Sequence, residues 1–570
     1  MSEASYTTNR IQQSRPAEQG AAASTRPTAP IGARAYARWR RFESTLTALS
    51  DWFNPILVKE TRQALRSTQF TLTFTLLLVA CWMVTIGGVA LIGPSIFYAA
   101  GGPELLWAYY LVLSVPLILV VPFAAFRSLA AEREDNTYEL LSITTLKPRQ
   151  IIGGKLASAV LQMMVYFSAV MPCLAFTYLL RGVDAPSIAL LLVYTFLASL
   201  LLSMIGLLLA TLSRQRFGHV VLSIGFVSLL LYTCYQAQDL AADLIRYGYE
   251  QYLRREFWIN NLFAAAMYAA NLLLAYLAAA AMITLATENR STPLRLAMLV
   301  QQAVFIGWIA YVWLSHRLDG DALVAPAQIA AAYWFVMGAM LNGEQAETPH
   351  RALRSLPGDP LSRLFTTWLR PGPSSGYAFS VANLTTIVIL CLAATGLFMR
   401  PAAARAIWPN PDRFFYVFLL GWSYFVAYLG LGCLVVAWLR KVTEVTMFAS
   451  VLLHLLLLLA GSGIPHSIHW MSVELQNEPY SYIHVTDPIW TLHYVLERSP
   501  VAEEEVLLVV IPAAAFCIFL LNLPGLIQSL QRKPALLPVR VAADEAELHP
   551  PPESLPQSPW DENHSKSIDP

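Results

Sequence analysis

Apolar runs long enough to cross a bilayer are the feature that most limits what this chain can fold into. Phe70 to Ile92 and Ser187 to Leu212 contain no charged residue. A helix rising 1.5 Å per residue needs roughly 20 residues to cover a hydrocarbon core of about 30 Å, and both runs exceed that. Inside lipid every backbone donor and acceptor must be satisfied within the segment, which leaves helices or a closed barrel. The alternating pattern of barrel strands is missing. The expected fold class is therefore all-α, a polytopic transmembrane helical bundle. Twelve spans fit, near 70–92, 105–126, 156–180, 187–212, 217–237, 258–286, 296–314, 322–341, 379–399, 414–438, 445–462 and 505–527. Composition agrees, since charged residues make up 13% of the 570 against about 25% in a typical soluble domain.

Basic residues orient such a bundle, because short loops left in the cytoplasm keep Lys and Arg while external ones lack them. With the N-terminus inside, about three quarters of the 38 Lys and Arg residues fall in segments assigned to the cytoplasm. An even span count in the cell membrane, with both termini cytoplasmic, follows as the expectation. Residues 1–50 are polar, basic and free of hydrophobic periodicity, and 532–570 are rich in Pro and Glu, so both read as disordered tails without a cleaved signal. Net charge is +1, which points to neither nucleic acid nor an acidic partner; the apolar spans make the lipid bilayer the expected surrounding partner. Cys81, Cys173, Cys234, Cys391, Cys433 and Cys517 sit in or beside apolar runs without CxxC spacing and read as packing residues.

Apart from Glu505 at the first position of the last one, the expected spans contain no Asp, Glu, Lys or Arg, whereas ion-driven transporters place such groups there despite their cost. The main polar candidates within them are Gln162, His219, Asn271, Gln301, Gln302 and His454, the last read as a helix-packing histidine. Energy for any active transport would thus come from a separate domain. No GxxxxGK[ST] phosphate loop occurs in the chain, so an ATPase would act in trans, with ATP and magnesium on that subunit, no cofactor on this one and no catalytic residues here. The external stretch from Gly463 to Glu504 holds His466, His469, Glu474, His484 and His493. It lacks the HExxH arrangement of a zinc hydrolase and reads as an ordinary loop with no metal.

Two segments flank the first two spans. Residues 51–69, DWFNPILVKETRQALRSTQ, alternate apolar and charged residues at helical spacing and read as an interfacial amphipathic helix. Asn54 suits its cap and Pro55 its first turn, with Lys59 and Glu60 on it. After the second span comes FRSLAAEREDNTYELLSITTLKPRQIIGGK, in which Leu140 and Leu141 make a small apolar knob on a polar background, suited to a groove on a soluble partner. This segment resembles the cytoplasmic loop of ABC-2 type permeases at Glu132, Arg133, Glu134, Thr137, Glu139, Leu140, Leu141, Pro148, Gly154 and Lys155, and NPILVKE resembles that family's interfacial helix. The resemblance covers about 51–216.

The resemblance implies a six-span permease module over 70–290, with 127–155 as the loop that couples it to an ATP-binding-cassette subunit. The expected function is the membrane-spanning permease of an ABC exporter, with its substrate-binding residues undefined. The alternative is a scaffold or mechanotransmission protein of the same superfamily that acts on an external partner. Residues 291–531 would form a second six-span region. Its loop NGEQAETPHRALRSLPGDPLSRL, with Glu344, Glu347 and Pro349, holds the same topological place as the first loop. A diverged repeat with a second coupling loop is one reading, in which a single chain supplies both halves; contact with anionic lipid through Arg351, Arg354 and Arg363, and a homodimer, is the other.

Overall fold

A computed structural model of the protein describes residues 55–93, 100–134, 147–212, 216–284, 289–315, 321–344, 362, 366–398, 412–472, 480–497, 504–531 and 539–548. Helices dominate them, no strand occurs among them, and twelve helices are long and apolar enough to cross a membrane. The protein is an all-α, multi-pass membrane protein. Helix α1 (Pro55–Leu65) precedes the first span. The first six spans are α2 (Thr68–Ile92), α3 (Gly102–Glu134), α4 (Pro148–Leu179), α5 (Ala185–Leu212), α6 (Arg216–Tyr252) and α7 (Arg255–Ile283). The second six are α8 (Ser291–Ser315), α9 (Asp321–Asn342), α10 (Pro373–Phe398), α11 (Asp412–Leu439), α12 (Met447–Met471) and, after a short helix α13 (Pro488–Glu497), α14 (Glu504–Gln531).

Several helices outrun their expected spans, because a helix does not stop where hydropathy falls. Helix α6 continues past residue 237 to Tyr252, carrying Asp239, Asp243 and Arg246 beyond the apolar part. Helix α12 runs on to Met471, so His466 and His469 belong to a helix end rather than a loop. Helix α4 begins at Pro148, which draws Lys155 into it; α8 begins at Ser291, which draws in Arg295. The expected spans began one residue after each cation, so the charge-free interior is corrected at these two places. Helix α15 (Val539–Leu548) interrupts the C-terminal segment read as disordered, where Ala, Glu and Leu favour helix; residues 1–54 lie outside the described residues.

Helix α3 changes its hydrogen-bond pattern at a defined place. Its middle, Val115–Val120, is a π-helical turn between two α-helical arms, and Val121 N–H bonds back to Pro116 O. The next such bond would run from residue 122 to Leu117 O, but Pro122 has no N–H to give. Ser199 of α5, fully buried, donates its hydroxyl to Leu117 O instead. A buried carbonyl that would otherwise cost about 1–3 kcal/mol is thereby satisfied from a neighbouring helix. Single π-turns of this kind interrupt the regular ladder and often mark functional positions.

The helix pairings of the first six spans recur in the second six. Helix α3 packs on α4, α5 and α6, and α7 packs on α4 and α5; likewise α9 packs on α10, α11 and α12, and α14 packs on α10 and α11. Each set has its own buried core, one around Phe126, Leu207 and Phe226 with a neighbour around Leu106, Leu117 and Tyr166, the other around Trp334, Tyr377 and Phe414. The sets meet along α7 and α8. There Gln301 donates to Asn271 Oδ1 at 2.8 Å and accepts from Tyr333 OH at 2.7 Å, so two of the span polar residues form a joint.

Helix ends that share contacts define two faces. On the face where the bundle's chain ends emerge, called proximal here, Arg133 donates to Thr211 O and Tyr276 to Arg149 O. On the distal face Gly102 N–H donates to Arg181 O, a backbone approach that a Cβ at Gly102 would block. Asp184 caps α5 there through Ser187 and also accepts from Tyr252 OH. Burial raises its pKa, but these hydrogen bonds outweigh that and hold it below the ordinary carboxylate value. Reporter fusions test the sidedness expected from the basic residues. Fusions at Gly101 and Asn477 should read external and fusions after Lys147 and Lys533 internal; an external signal after Lys533 contradicts the even topology.

Candidate functional site

The proximal face of the first half gathers four charged residues whose placement follows from local folding. Lys147 precedes α4, and Gln150 Oε1 accepts from its N–H at 2.9 Å, which starts the helix with Pro148 at its first position. Two turns later Lys155 points into the bundle, 3% exposed. Its Nζ lies 3.1 Å from Glu60 Oε1 of α1 and 3.1 Å from Glu132 Oε1 at the end of α3. Lys59 adds a second cation 3.7 Å from Glu132 and 3.9 Å from Glu60 on the outer side. Two cations thus meet two carboxylates. Three elements are tied at one atom: α1, the end of α3 and the start of α4.

Hydrophobic contacts support this tie. Ile56 of α1 is buried in one core with Phe126 and Leu129 of α3 and Ile151 and Ile152 of α4. Arg133, beside Glu132, is anchored by its bond of 2.7 Å to Thr211 O at the end of α5, while Glu134 is exposed. Of the residues singled out in the sequence, Lys59, Glu60, Glu132 and Lys155 therefore converge, and Pro148 and Gly154 belong to the same helix start. Thr137, Glu139, Leu140, Leu141 and Asn54 lie outside the described residues.

The second half holds a different and drier arrangement at the corresponding end. Arg295 has no exposed surface, and its Nη2 lies 2.7 Å from Glu344 Oε2, just beyond α9. Its Nη1 donates to Trp368 O at 2.8 Å and to Ser375 Oγ at 3.1 Å. Glu344 also accepts from Ser291 Oγ at 2.6 Å and from Gly372 N–H at 2.8 Å, and Arg440 Nη2 donates to its backbone carbonyl at 2.6 Å. Burial lowers the pKa of Arg440, which stands just past the end of α11, with Glu344 acting against that shift. The acidic residue read as a possible docking element is thus an internal one that staples α8, α9, α10 and α11. Glu347 and Pro349 lie outside the described residues. Sequence reasoning passed over Arg295, although an Arg at one span start facing a Glu at the next span end was a readable signal.

The remaining polar candidates are mostly structural. His454 is fully buried; its Nδ1 donates to Ser450 O at 2.7 Å and its Nε2 accepts from Asn342 Nδ2 at 3.1 Å, as a packing histidine does. Gln302 donates to Asn383 O at 3.1 Å. His219 is buried with neither ring nitrogen bonded among the described residues. On the distal face His466, His469 and His484 surround Trp490, with His484 stacked on its ring at 4.6 Å between centroids. Burial pushes His484 below the ordinary imidazole value, and the neighbouring His469 and His466 push the same way. Among the described residues no group of three His, Cys, Asp or Glu is placed to hold a metal.

Comparison with family models, with curated proteins and with solved structures gives no match.

Removing one partner from a buried ion pair leaves the others unbalanced and costs about 3–5 kcal/mol. Lys155→Met should lose stability of that order and expose two adjacent carboxylates, whereas Lys155→Arg keeps the charge. Hydrogen exchange over 55–65 in detergent-solubilised protein reads the difference. The Met variant should exchange faster by at least tenfold; equal protection in both variants contradicts the role given to Lys155.

Proposed function

We propose that the protein is the membrane-spanning permease of an ATP-binding-cassette exporter in the cell membrane, driven by a separate ATP-binding subunit on the proximal, cytoplasmic face. The observation that supports this reading most is the Lys155 tie. A soluble motor that grips the 135–146 segment pulls on both ends of it, Glu132 and Pro148, and both ends are attached to α1 through the same ammonium. Displacement of the loop is then passed to α3 and α4 as one body rather than lost in a slack connection. The π-turn at Val115–Val120 divides α3 near its middle, so the proximal arm has a place to tilt about.

Docking is assigned to one loop per chain. The segment after α9 spends its first carboxylate, Glu344, on Arg295 inside the bundle, which leaves the 127–155 segment as the point of contact with the ATPase. One chain with one docking point implies that two chains form the complete exporter, each binding one ATP-binding subunit. A second reading, motion delivered to an external partner instead of cargo, draws on the distal cap around Trp490. That cap is fastened to the span α11 by Tyr424 OH on Val485 O at 2.6 Å and Tyr428 OH on Thr486 O at 2.5 Å, so movement of α11 would reach the surface.

The paired change Leu140→Asp with Leu141→Asp places charge on the docking knob without touching a span. Copurification with the ATP-binding subunit should fall at least tenfold, about 1.4 kcal/mol of binding, with membrane insertion unchanged. Undiminished capture of the ATPase removes this loop from the coupling role, and failure of the wild-type chain to retain any ATP-binding subunit overturns the reading as a whole.

A further inference from the structure

The second six spans enclose a cavity of about 310 Å³ between α9, α10, α11 and α12. Its floor lies near the middle of the spans, at Leu384 of α10 and Phe335 of α9, and its roof at the distal end is Pro488 and Leu492 of α13. The lining is apolar almost throughout. Its polar members are Gln328, Trp422, Tyr424 and Tyr428, and three of these have already spent their donors. Trp422 Nε1–H donates to Thr385 Oγ1 at 2.8 Å, and the two tyrosine hydroxyls donate to the carbonyls of the cap. A cavity of this size and polarity does not hold ordered water well and favours an apolar ligand.

The cavity opens sideways. Ala332 and Val336 on α9 and Leu455 on α12 line it and are themselves exposed, so its mouth lies between two membrane-spanning helices. Exposed apolar side chains at that depth face hydrocarbon, where acyl chains are the apolar molecules present. We propose that this cavity seats one acyl chain of a phospholipid, which enters from the hydrocarbon between α9 and α12 and ends under α13. The roof gives the site its limit. Tyr424, Tyr428 and the Trp490 cluster hold α13 across the distal end, so a chain inserted from the side is stopped there rather than passing through. The site belongs to the second set of spans and does not depend on an ATPase.

A phosphatidylglycerol probe with a photoreactive diazirine in its acyl chain tests this on the full chain in nanodiscs, with labelled peptides located by mass spectrometry. Labelling should concentrate on α9, α11 and α12 at residues facing the cavity. Ala331→Trp, which fills the space, should reduce that labelling at least tenfold, while Ile389→Phe on an exposed face of α10 leaves it unchanged. Wild-type labelling spread evenly around the bundle overturns the proposal even if the filled variant fails to fold. So does labelling by a diazirine-bearing free fatty acid with none from the phospholipid.

Discussion

A charge near hydrocarbon is tolerated only when it is paired, and the proximal architecture is organised around that requirement. The Lys155 ammonium is nearly sealed from solvent, so it needs carboxylates within reach on the protein. The nearest ones come from α1 and from the end of α3, each 3.1 Å away. Helix α1 has only 11 residues, too few to be stable alone in water. Its position therefore depends on Ile56 in the core and Glu60 at the ammonium. An interaction that merely satisfies a buried cation thus fixes where an amphipathic helix lies and where a loop begins and ends.

The two sets of spans use one pairing scheme for different purposes. In the first, the ion cluster reaches outward: Glu132 keeps 16% of its side-chain surface exposed and Lys59 59%, so the network borders the segment proposed to meet a partner. In the second, Arg295 and Glu344 turn inward and collect backbone carbonyls, an amide and hydroxyls from several elements. The shared pairings place an outward ion cluster at the proximal end of one set and an internal staple at the corresponding end of the other. The copy with the staple also carries the distal cap and the laterally open cavity. The outward ion cluster thus lies in one half and the distal features in the other.

Much of this was legible in the sequence, because hydrocarbon thickness sets a length that apolar runs must meet. All twelve spans correspond to expected ones, including the short eighth. What hydropathy does not encode is where a helix stops, since α6 and α12 continue into polar residues once the backbone ladder is established. The ion clusters were half legible. Glu60, Glu132 and Lys155 stood out by resemblance, yet their convergence depends on α4 starting at Pro148 so that Lys155 turns inward. Arg295 carries no reading from hydropathy because the expected span starts at residue 296, and Glu344 reads as part of a possible second coupling loop rather than as its buried partner. The π-turn had a signal in Pro116 and Pro122, six residues apart, but its capping by Ser199 of α5 is a tertiary contact that no local pattern reveals.

The central claim is that α1, the end of α3 and the start of α4 move as one body when the partner subunit binds ATP. Pulsed electron paramagnetic resonance on the permease–ATPase complex measures it, with spin labels at Arg62 and Gln150 as one pair and at Arg62 and Leu296 as the other. The account predicts that the first distance stays fixed with and without ATP while the second shifts by at least about 1–2 Å, the scale of helix displacements in switching proteins. A first distance that changes with ATP, or a second that does not, contradicts it.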